Sequence, residues 1–397
     1  MTSHVPFRAV ALVMLLLAVA VAAEADSPGQ RICGLGESSY LLLDESGAAL
    51  DACRADAPLI PASTLKLVTA WLALSHWGED YRFTTDFFLD DDQRLWVRGN
   101  GDPMLVSEEL DRIAAALAQS GLESLRSIGV DESRFATTVK IPGRSATDNP
   151  YDAPVAALAV NFNTVNLVRK GGKLRSAEPQ TPLTPTARRL GATLRGGPRR
   201  INLRRAADSA VYFAELLASK LRLRGVEVGE SIERGVVPPR AKLLLAHSNS
   251  RPLGEIVRAM LRYSTNFIAN MLLLDLGAEA YGPPATMEKG VRHARQRIDE
   301  AFGWRDYQIV DGAGLSRDNR LSARQLTELL QRFAPWRSLL PERAPGIRAK
   351  TGTLHGIRSL AGYLEVDAGW RPFAILINAP APRRLHFGLA ERWRDLR

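Results

Sequence analysis

Pro58-Leu59-Ile60-Pro61-Ala62-Ser63-Thr64-Leu65-Lys66-Leu67-Val68-Thr69-Ala70-Trp71 is the stretch on which the reading of the whole chain turns. The prolines keep its first residues extended, and the apolar run from Leu67 to Trp77 continues as a helix, which puts Ser63 at a helix start. A serine there can simply cap the helix. A capping box, however, wants Glu or Gln three residues on, whereas this chain has Lys66, a cation that opposes the helix dipole. Residues three apart share a helix face, so the two side chains can meet. Leu65, Leu67, Val68 and Trp71 surround the lysine with apolar groups, a setting that lowers an ammonium pKa and frees an amine to act as a base. Ser63 and Lys66 are therefore a candidate nucleophile and its base.

Two later breaks in the apolar pattern add to this pair. Ser264-Thr265-Asn266 separates the helical runs Leu253 to Leu261 and Asn266 to Leu276, and by itself reads as a turn with an N-cap. Lys350-Thr351-Gly352-Thr353 lies in the strand-like run Ile347 to Leu354, where a glycine marks the close approach of another backbone or of a ligand. In this order, Ser-x-x-Lys, Ser-x-Asn and Lys-Thr-Gly are the three elements of penicillin-interacting serine acyl-transferases: a nucleophile with its base, a relay, and a cationic strand edge. The 201 positions from Ser63 to Ser264 are far more than β-lactamases use, and that length calls for an inserted domain.

The chain resembles the D-alanyl-D-alanine carboxypeptidase/endopeptidase family of class C penicillin-binding proteins, the penicillin-binding protein 4 type. The resemblance is carried by Pro61 to Lys66, Gly101-Asp102-Pro103, Val160-Asn161-Phe162-Asn163, Asp311-Gly312-Ala313-Gly314-Leu315-Ser316-Arg317 and Ala349 to Leu354. It implies an α/β fold: a β-lactamase/transpeptidase-like domain, an antiparallel sheet flanked by helices, interrupted by a long inserted α/β domain. It implies that Ser63 attacks the penultimate D-alanine carbonyl of a peptidoglycan stem peptide, that Lys66 takes its proton and that Ser264 passes it to the leaving amine. Asn266, Lys350, Thr351, Gly352 and Thr353 are then the substrate-binding set, and no cofactor is needed. Arg317 either reaches an anionic group on the stem peptide or is a solvated loop arginine. Stem peptides and β-lactam antibiotics are the implied partners. Asn270 stands where the family usually shows an acidic residue and Ala313 replaces a common serine, departures that bear on substrate preference. His355 reads as a rim residue and Asp102 as a turn residue. A β-lactamase and a non-catalytic wall-binding scaffold are the alternatives; the intact Ser63, Lys66, Ser264, Asn266 and Lys350 argue against the scaffold.

Around these motifs, 397 residues with 46% hydrophobic and 24% charged side chains exclude a disordered chain and a polytopic membrane protein. Arg8, the apolar run Ala9 to Val21 and the small residues Ala22-Ala23-Glu24-Ala25 read as a signal peptide over residues 1–25, which sends the protein to the periplasm or outside the cytoplasmic membrane. The apolar run is shorter than the roughly 20 residues a spanning helix needs. Export sets nucleic acid aside as the partner for the net charge of +9. Arg188, Arg189, Arg195, Arg199, Arg200, Arg204 and Arg205 read either as a solvated face or as a footprint for peripheral contact with anionic envelope polymers. Cys33 and Cys53 are free to pair in an exported protein, provided that Cys33 curls back over a hairpin in which Cys53 faces Tyr40. Two cysteines and six histidines show no metal-ligand spacing. The expected layout is a catalytic domain over 26–85 and 246–397 and an insert over 86–245. Within the insert, 171–198 is expected to be an irregular surface excursion, a reduced third subdomain or loop.

Overall fold

A computed structural model describes residues 27–395; the expected signal segment at 1–25 lies outside them. Helix α1 (Pro28–Gly34), capped by Ser27 and Gln30, precedes the hairpin β1 (Ser38–Leu43) and β2 (Ala49–Cys53). Tyr40 pairs with Cys53, and α1 brings Cys33 back so that the two cysteines form a disulfide with Cα atoms 5.9 Å apart. A 3-10 turn, Ala62–Leu65, leads into helix α2 (Lys66–Trp77).

The insert begins with the antiparallel strands β3 (Thr84–Leu89) and β4 (Arg94–Gly99). Helix α3 (Ser107–Gln119) crosses to β5 (Ser124–Asp131), parallel to β4. A small antiparallel sheet follows, from β6 (Thr164–Lys170), β7 (Lys173–Ser176) and, after helix α4 (Pro185–Leu190), β8 (Arg199–Asn202). Helix α5 (Ser209–Arg222) returns the chain to β9 (Glu227–Arg234), parallel to β5, and β10 (Lys242–Ser248) closes the larger sheet in the order β10-β3-β4-β5-β9. Ile113 and Leu117 of α3 and Phe213 and Leu217 of α5 pack with Val97 and Ile128 of the sheet in one apolar core.

Two expectations about the insert are corrected. The boundaries at 85/86 and 245/246 cut through β3 and β10, which pair with each other from Thr84 opposite Ser248. The crossing lies at Phe83 and Asn249, where the Asn249 N–H donates to the Phe83 carbonyl at 2.9 Å. The stretch 171–198 is also more than an irregular excursion. It holds β7 and α4, buries Ala187 and Leu194 and packs Leu174, Leu183 and Leu190 against the insert core. Its strand is only four residues long and three of them are polar, too short for a period of two to register in the sequence.

The chain then returns through helices α6 (Leu253–Tyr263), α7 (Asn266–Tyr281), α8 (Met287–Phe302) and α9 (Ala323–Phe333), the last with the Ser322/Gln325 capping box. Strands β11 (Glu342–Ala344), β12 (Ile347–Leu354), β13 (Ile357–Val366) and β14 (Gly369–Ile377) and helix α10 (Leu385–Arg394) follow. The catalytic sheet is antiparallel throughout, in the order β11-β12-β13-β14-β1-β2, so the two ends of the chain meet in it. The central strands β1 and β14 carry unbroken apolar runs, Tyr40 to Leu43 and Phe373 to Ile377, because both faces are covered there. In β14, Ala374 and Leu376 face the helical core of α2, α6, α7 and α9, while Phe373, Ile375 and Ile377 face α1 and α10. No helix among the described residues is long and apolar enough to cross a membrane.

Candidate active site

Ser63 sits in the 3-10 turn immediately before α2, with Ala62 ahead of it in a left-handed backbone conformation (φ 47°). Such a conformation is costly for a residue with a Cβ and persists where the surroundings hold it. Here the turn is clasped by Thr64 Oγ1 and Ser359 Oγ, which both donate to the Pro61 carbonyl, at 2.7 and 2.6 Å. Strand β12 lies against the same turn. A Cβ on Gly352 would come within 2.9 Å of the Ser63 nitrogen and 2.8 Å of the Pro61 oxygen, so glycine is required by the close backbone approach that its place in the strand foretells.

Lys66 opens α2 and is completely buried. Its Nζ donates to Ser63 Oγ at 2.9 Å, to Asn266 Oδ1 at 2.8 Å and to the Ala313 carbonyl at 2.7 Å. Burial pushes its pKa down to about 7, against the opposing attraction of Asp311. A neutral amine at this position keeps two N–H donors for Asn266 and Ala313, both pure acceptors, and so turns its lone pair toward the Ser63 hydroxyl.

The turn between α6 and α7 supplies the second motif. Ser264 ends α6 in the left-handed region (φ 56°, ψ 40°), and this sharp reversal aims its hydroxyl at the third motif. Lys350 Nζ donates to Ser264 Oγ at 2.8 Å and to the Thr351 carbonyl at 2.6 Å. Lys350 is buried, and desolvation, reinforced by the Lys66 and Arg343 cations, holds its pKa well below the usual lysine range. The Lys66 cation thus disfavours charge on Lys350. Thr351 is half-buried and Thr353 exposed on the same strand. Arg317 and His355 are exposed as well, and the arginine donates to the His355 carbonyl at 2.5 Å, joining the Asp311–Arg317 loop to the end of β12.

Sequence reasoning missed what fixes these side chains. Asp311 is fully buried, and its carboxylate accepts the N–H groups of Ala313, Gly314, Leu315 and Ser316 together with Asn319 Nδ2. That clasp presents the Ala313 carbonyl to Lys66, while Asn270 Oδ1 accepts from Gly312 N–H and Thr69 Oγ1 donates to the Gly312 carbonyl. An Asp followed by Gly-Ala-Gly was the available signal for such a turn. The Tyr151 carbonyl, which accepts from Asn266 Nδ2 at 3.1 Å, had none. Asp102 does accept a turn bond from Met104 N–H, but it is also buried at the domain junction, where Asn249 Nδ2 donates to it at 2.7 Å.

Known proteins share this fold. The solved structure of penicillin binding protein 4 from Haemophilus influenzae superposes with a TM-score of 0.76 at 20% identity, covering 93% of this chain and 98% of that one. A predatory peptidoglycan endopeptidase from Bdellovibrio bacteriovorus gives 0.54 at 15% identity, with 90% of each chain covered. In sequence, the D-alanyl-D-alanine carboxypeptidase of Actinomadura sp. (strain R39) is 26% identical over 476 aligned positions, spanning 96% of this chain and 88% of that protein. The model of the D-Ala-D-Ala carboxypeptidase 3 (S13) family matches residues 43–187, 191–342 and 337–392. With nearly the whole described chain matched and the three motifs gathered at one serine, the chain belongs to the D-Ala-D-Ala carboxypeptidase 3 (S13) family.

Proposed function

We propose that this protein is a serine D-Ala-D-Ala carboxypeptidase and D,D-endopeptidase of peptidoglycan stem peptides, open to acylation by penicillins at Ser63. The observation that carries the reading is the environment of Lys66: a buried lysine with its pKa near 7, tied to two acceptors and facing Ser63 Oγ at 2.9 Å. The neutral amine removes the hydroxyl proton as Ser63 attacks the carbonyl of the penultimate D-alanine. The N–H groups of Ser63 and Thr353 serve as the oxyanion hole, where one donor is worth roughly 3 to 4 kcal/mol in comparable sites. Ser264, hydrogen-bonded to Lys350, hands a proton to the leaving amine, and water then releases the acyl group. A substrate carboxylate held by the Thr351 and Thr353 hydroxyls restores the charge on Lys350 that burial disfavours. Arg317, at the end of the same strand, is available to an anionic group of the stem peptide.

Export is part of the proposal. It is supported by the segment Arg8 to Ala25 and by the Cys33–Cys53 disulfide, which oxidising compartments maintain. Peripheral contact with anionic envelope polymers is supported by Arg188, Arg195 and Arg199, which are exposed and pair with no carboxylate among the described residues. The test uses penicillin and defined muropeptides. Intact mass after penicillin treatment should rise by one adduct on the Ser63 peptide, absent in Ser63→Ala, and mass spectrometry of the muropeptides should report loss of D-alanine or opened cross-links. Fast turnover of penicillin with untouched muropeptides makes the protein a β-lactamase instead.

A further inference from the structure

The space around Asn266 extends beyond the reacting groups. Between α6, the first turn of α7 and the insert lies a cleft of about 620 Å³ to which Ser264 and Asn266 contribute. Met104, Val106 and Phe162 give it apolar surface, and Arg200 and Arg251 give it cations.

The two arginines differ. Arg200 is engaged by Thr164 Oγ1 at 2.9 Å and by the Glu178 carboxylate. The Arg251 guanidinium donates no hydrogen bond among the described residues, and its Nη1 is shut off from solvent. Its nearest acid, Glu109, stands 3.7 Å away and is already occupied by His247 Nε2 at 2.9 Å and by the N–H and hydroxyl of Ser250. Glu108, the acid among the lining residues, is taken up by Gln180 Nε2 at 3.0 Å. Thr265, at the N-cap of α7, makes no side-chain capping bond, so the first-turn N–H groups add a positive pole to the same cleft. Nη1 faces Glu109 and is sealed, but the side chain is 33% exposed and its Nε and Nη2 have no acceptor among the described residues, so the open side of the guanidinium is suited to a carboxylate, which it can bind through two parallel hydrogen bonds.

We propose that this cleft is a subsite for the part of the acyl donor that lies upstream of the scissile bond, and that Arg251 receives a carboxylate borne by that acidic peptide segment. The inference rests on the reading of Ser63 as the acyl-enzyme nucleophile. An acyl chain attached to Ser63 with its amide at Asn266 must continue past Asn266, and this cleft opens there.

The test compares two synthetic peptides ending in D-Ala-D-Ala and extended upstream by three residues, identical except that one upstream residue carries a free carboxylate or its carboxamide. Wild type should prefer the carboxylate by about tenfold in kcat/KM, through KM. Arg251→Gln should erase that preference, Arg251→Lys should restore part of it, and Ala259→Glu, which sets an opposing charge on an accessible face of α6, should reverse it. Penicillin lacks the upstream segment, so its acylation rate at Ser63 should stay near wild type in all three variants. Equal use of the two peptides by wild type, or an undiminished preference in Arg251→Gln, overturns the subsite while penicillin acylation still reports on the catalytic reading. Failure of wild type to form any penicillin adduct overturns that reading instead.

Discussion

Two buried polar centres lie along helix α7, and the same desolvation serves different ends in each. At the start of the helix, Asn266 holds Lys66, the base of the proposed mechanism, whose pKa burial pushes down to about 7. Further along, Asp275 meets Arg134 of the insert at 2.6 Å, and burial pushes its pKa up to about 7 even though the arginine pulls the other way. Gly101 of the insert (φ 83°) packs so close that a Cβ there would lie 2.7 Å from the Asp275 carboxylate, and Asp102 beside it is pushed up to about 6. Both centres favour the neutral form. What separates them is the company: the lone pair of Lys66 has the Ser63 hydroxyl to act on, whereas Asp275 has a cation and a tight backbone but no nucleophile. A shifted pKa marks chemistry only where a reacting group shares the pocket; elsewhere it records the cost of joining two domains.

The sharpest way to break this contrast is at Lys66. Lys66→Arg keeps a cation but removes a base that can be deprotonated, so penicillin acylation should fall by about a thousandfold or more, followed as adduct formation over time. In wild type the acylation rate should rise with pH through about 7, since only the neutral amine is competent. A pH-independent rate, or an arginine variant within tenfold of wild type, removes Lys66 from the base role.

The second centre should respond in the opposite currency. Arg134→Met leaves Asp275 buried without its cation and should lower stability by about 3 kcal/mol in denaturant titrations at pH 8, less at pH 5, where the carboxyl is already protonated. Acylation by the molecules that remain folded should stay near the wild-type rate. A large loss of acylation at unchanged stability would show that the junction acts on catalysis directly.

The pH dependence of stability separates the centres more finely. The carboxyl of Asp275 has a folded pKa raised from its ordinary value of 3.8 to about 7, so the folded state binds the extra proton between these values. Its contribution is present below about pH 4 and is lost as pH rises through 7. Lys66 has a folded pKa of about 7 against an ordinary value of 10.5, so there the unfolded state binds the extra proton and stability recovers as pH rises from 7 toward 10. Asp275→Asn should flatten the acid side of the curve and Lys66→Met the alkaline side, each by a smaller amount than the Arg134 change. Swapped effects would refute the assignment.

The catalytic sheet and its helices were legible because their residues repeat a physical pattern: apolar runs such as Phe373 to Ile377 for a strand covered on both faces, Ser322 with Gln325 for a helix start. Ser63, Lys66, Ser264, Asn266 and Lys350 were legible as departures from such patterns, a lysine where a glutamate belongs or a polar break between apolar helices. The Ala313 and Tyr151 carbonyls were not, since a backbone oxygen looks the same at every position. Nor was the partnership of Asp275 with Arg134, 141 residues apart, because only the folded crossing of insert and α7 brings them together. The regular structure within 171–198 was hidden for a related reason: its four-residue strand takes its support from β6, not from its own periodicity.

The smallest expected effect concerns the arginines of that part of the insert, and it turns on which of them are already spoken for. Arg189 and Arg205 both reach Asp208, at 3.2 and 3.0 Å, Arg204 meets Asp148 at 2.8 Å, and Arg200 is bound to Glu178. Four of the seven cations therefore face carboxylates of the same chain, and exposed pairs of this kind are individually worth little. Arg188, Arg195 and Arg199 remain to attract an anionic polymer, and their field is screened within about 10 Å at 0.1 M salt. Changing these three to serine should lower cosedimentation with purified peptidoglycan sacculi about two- to threefold at low salt, converge with wild type as salt is raised, and leave penicillin acylation unchanged. Equal sedimentation of the Arg188, Arg195 and Arg199 variant and wild type at every salt concentration would make the whole stretch a solvated face.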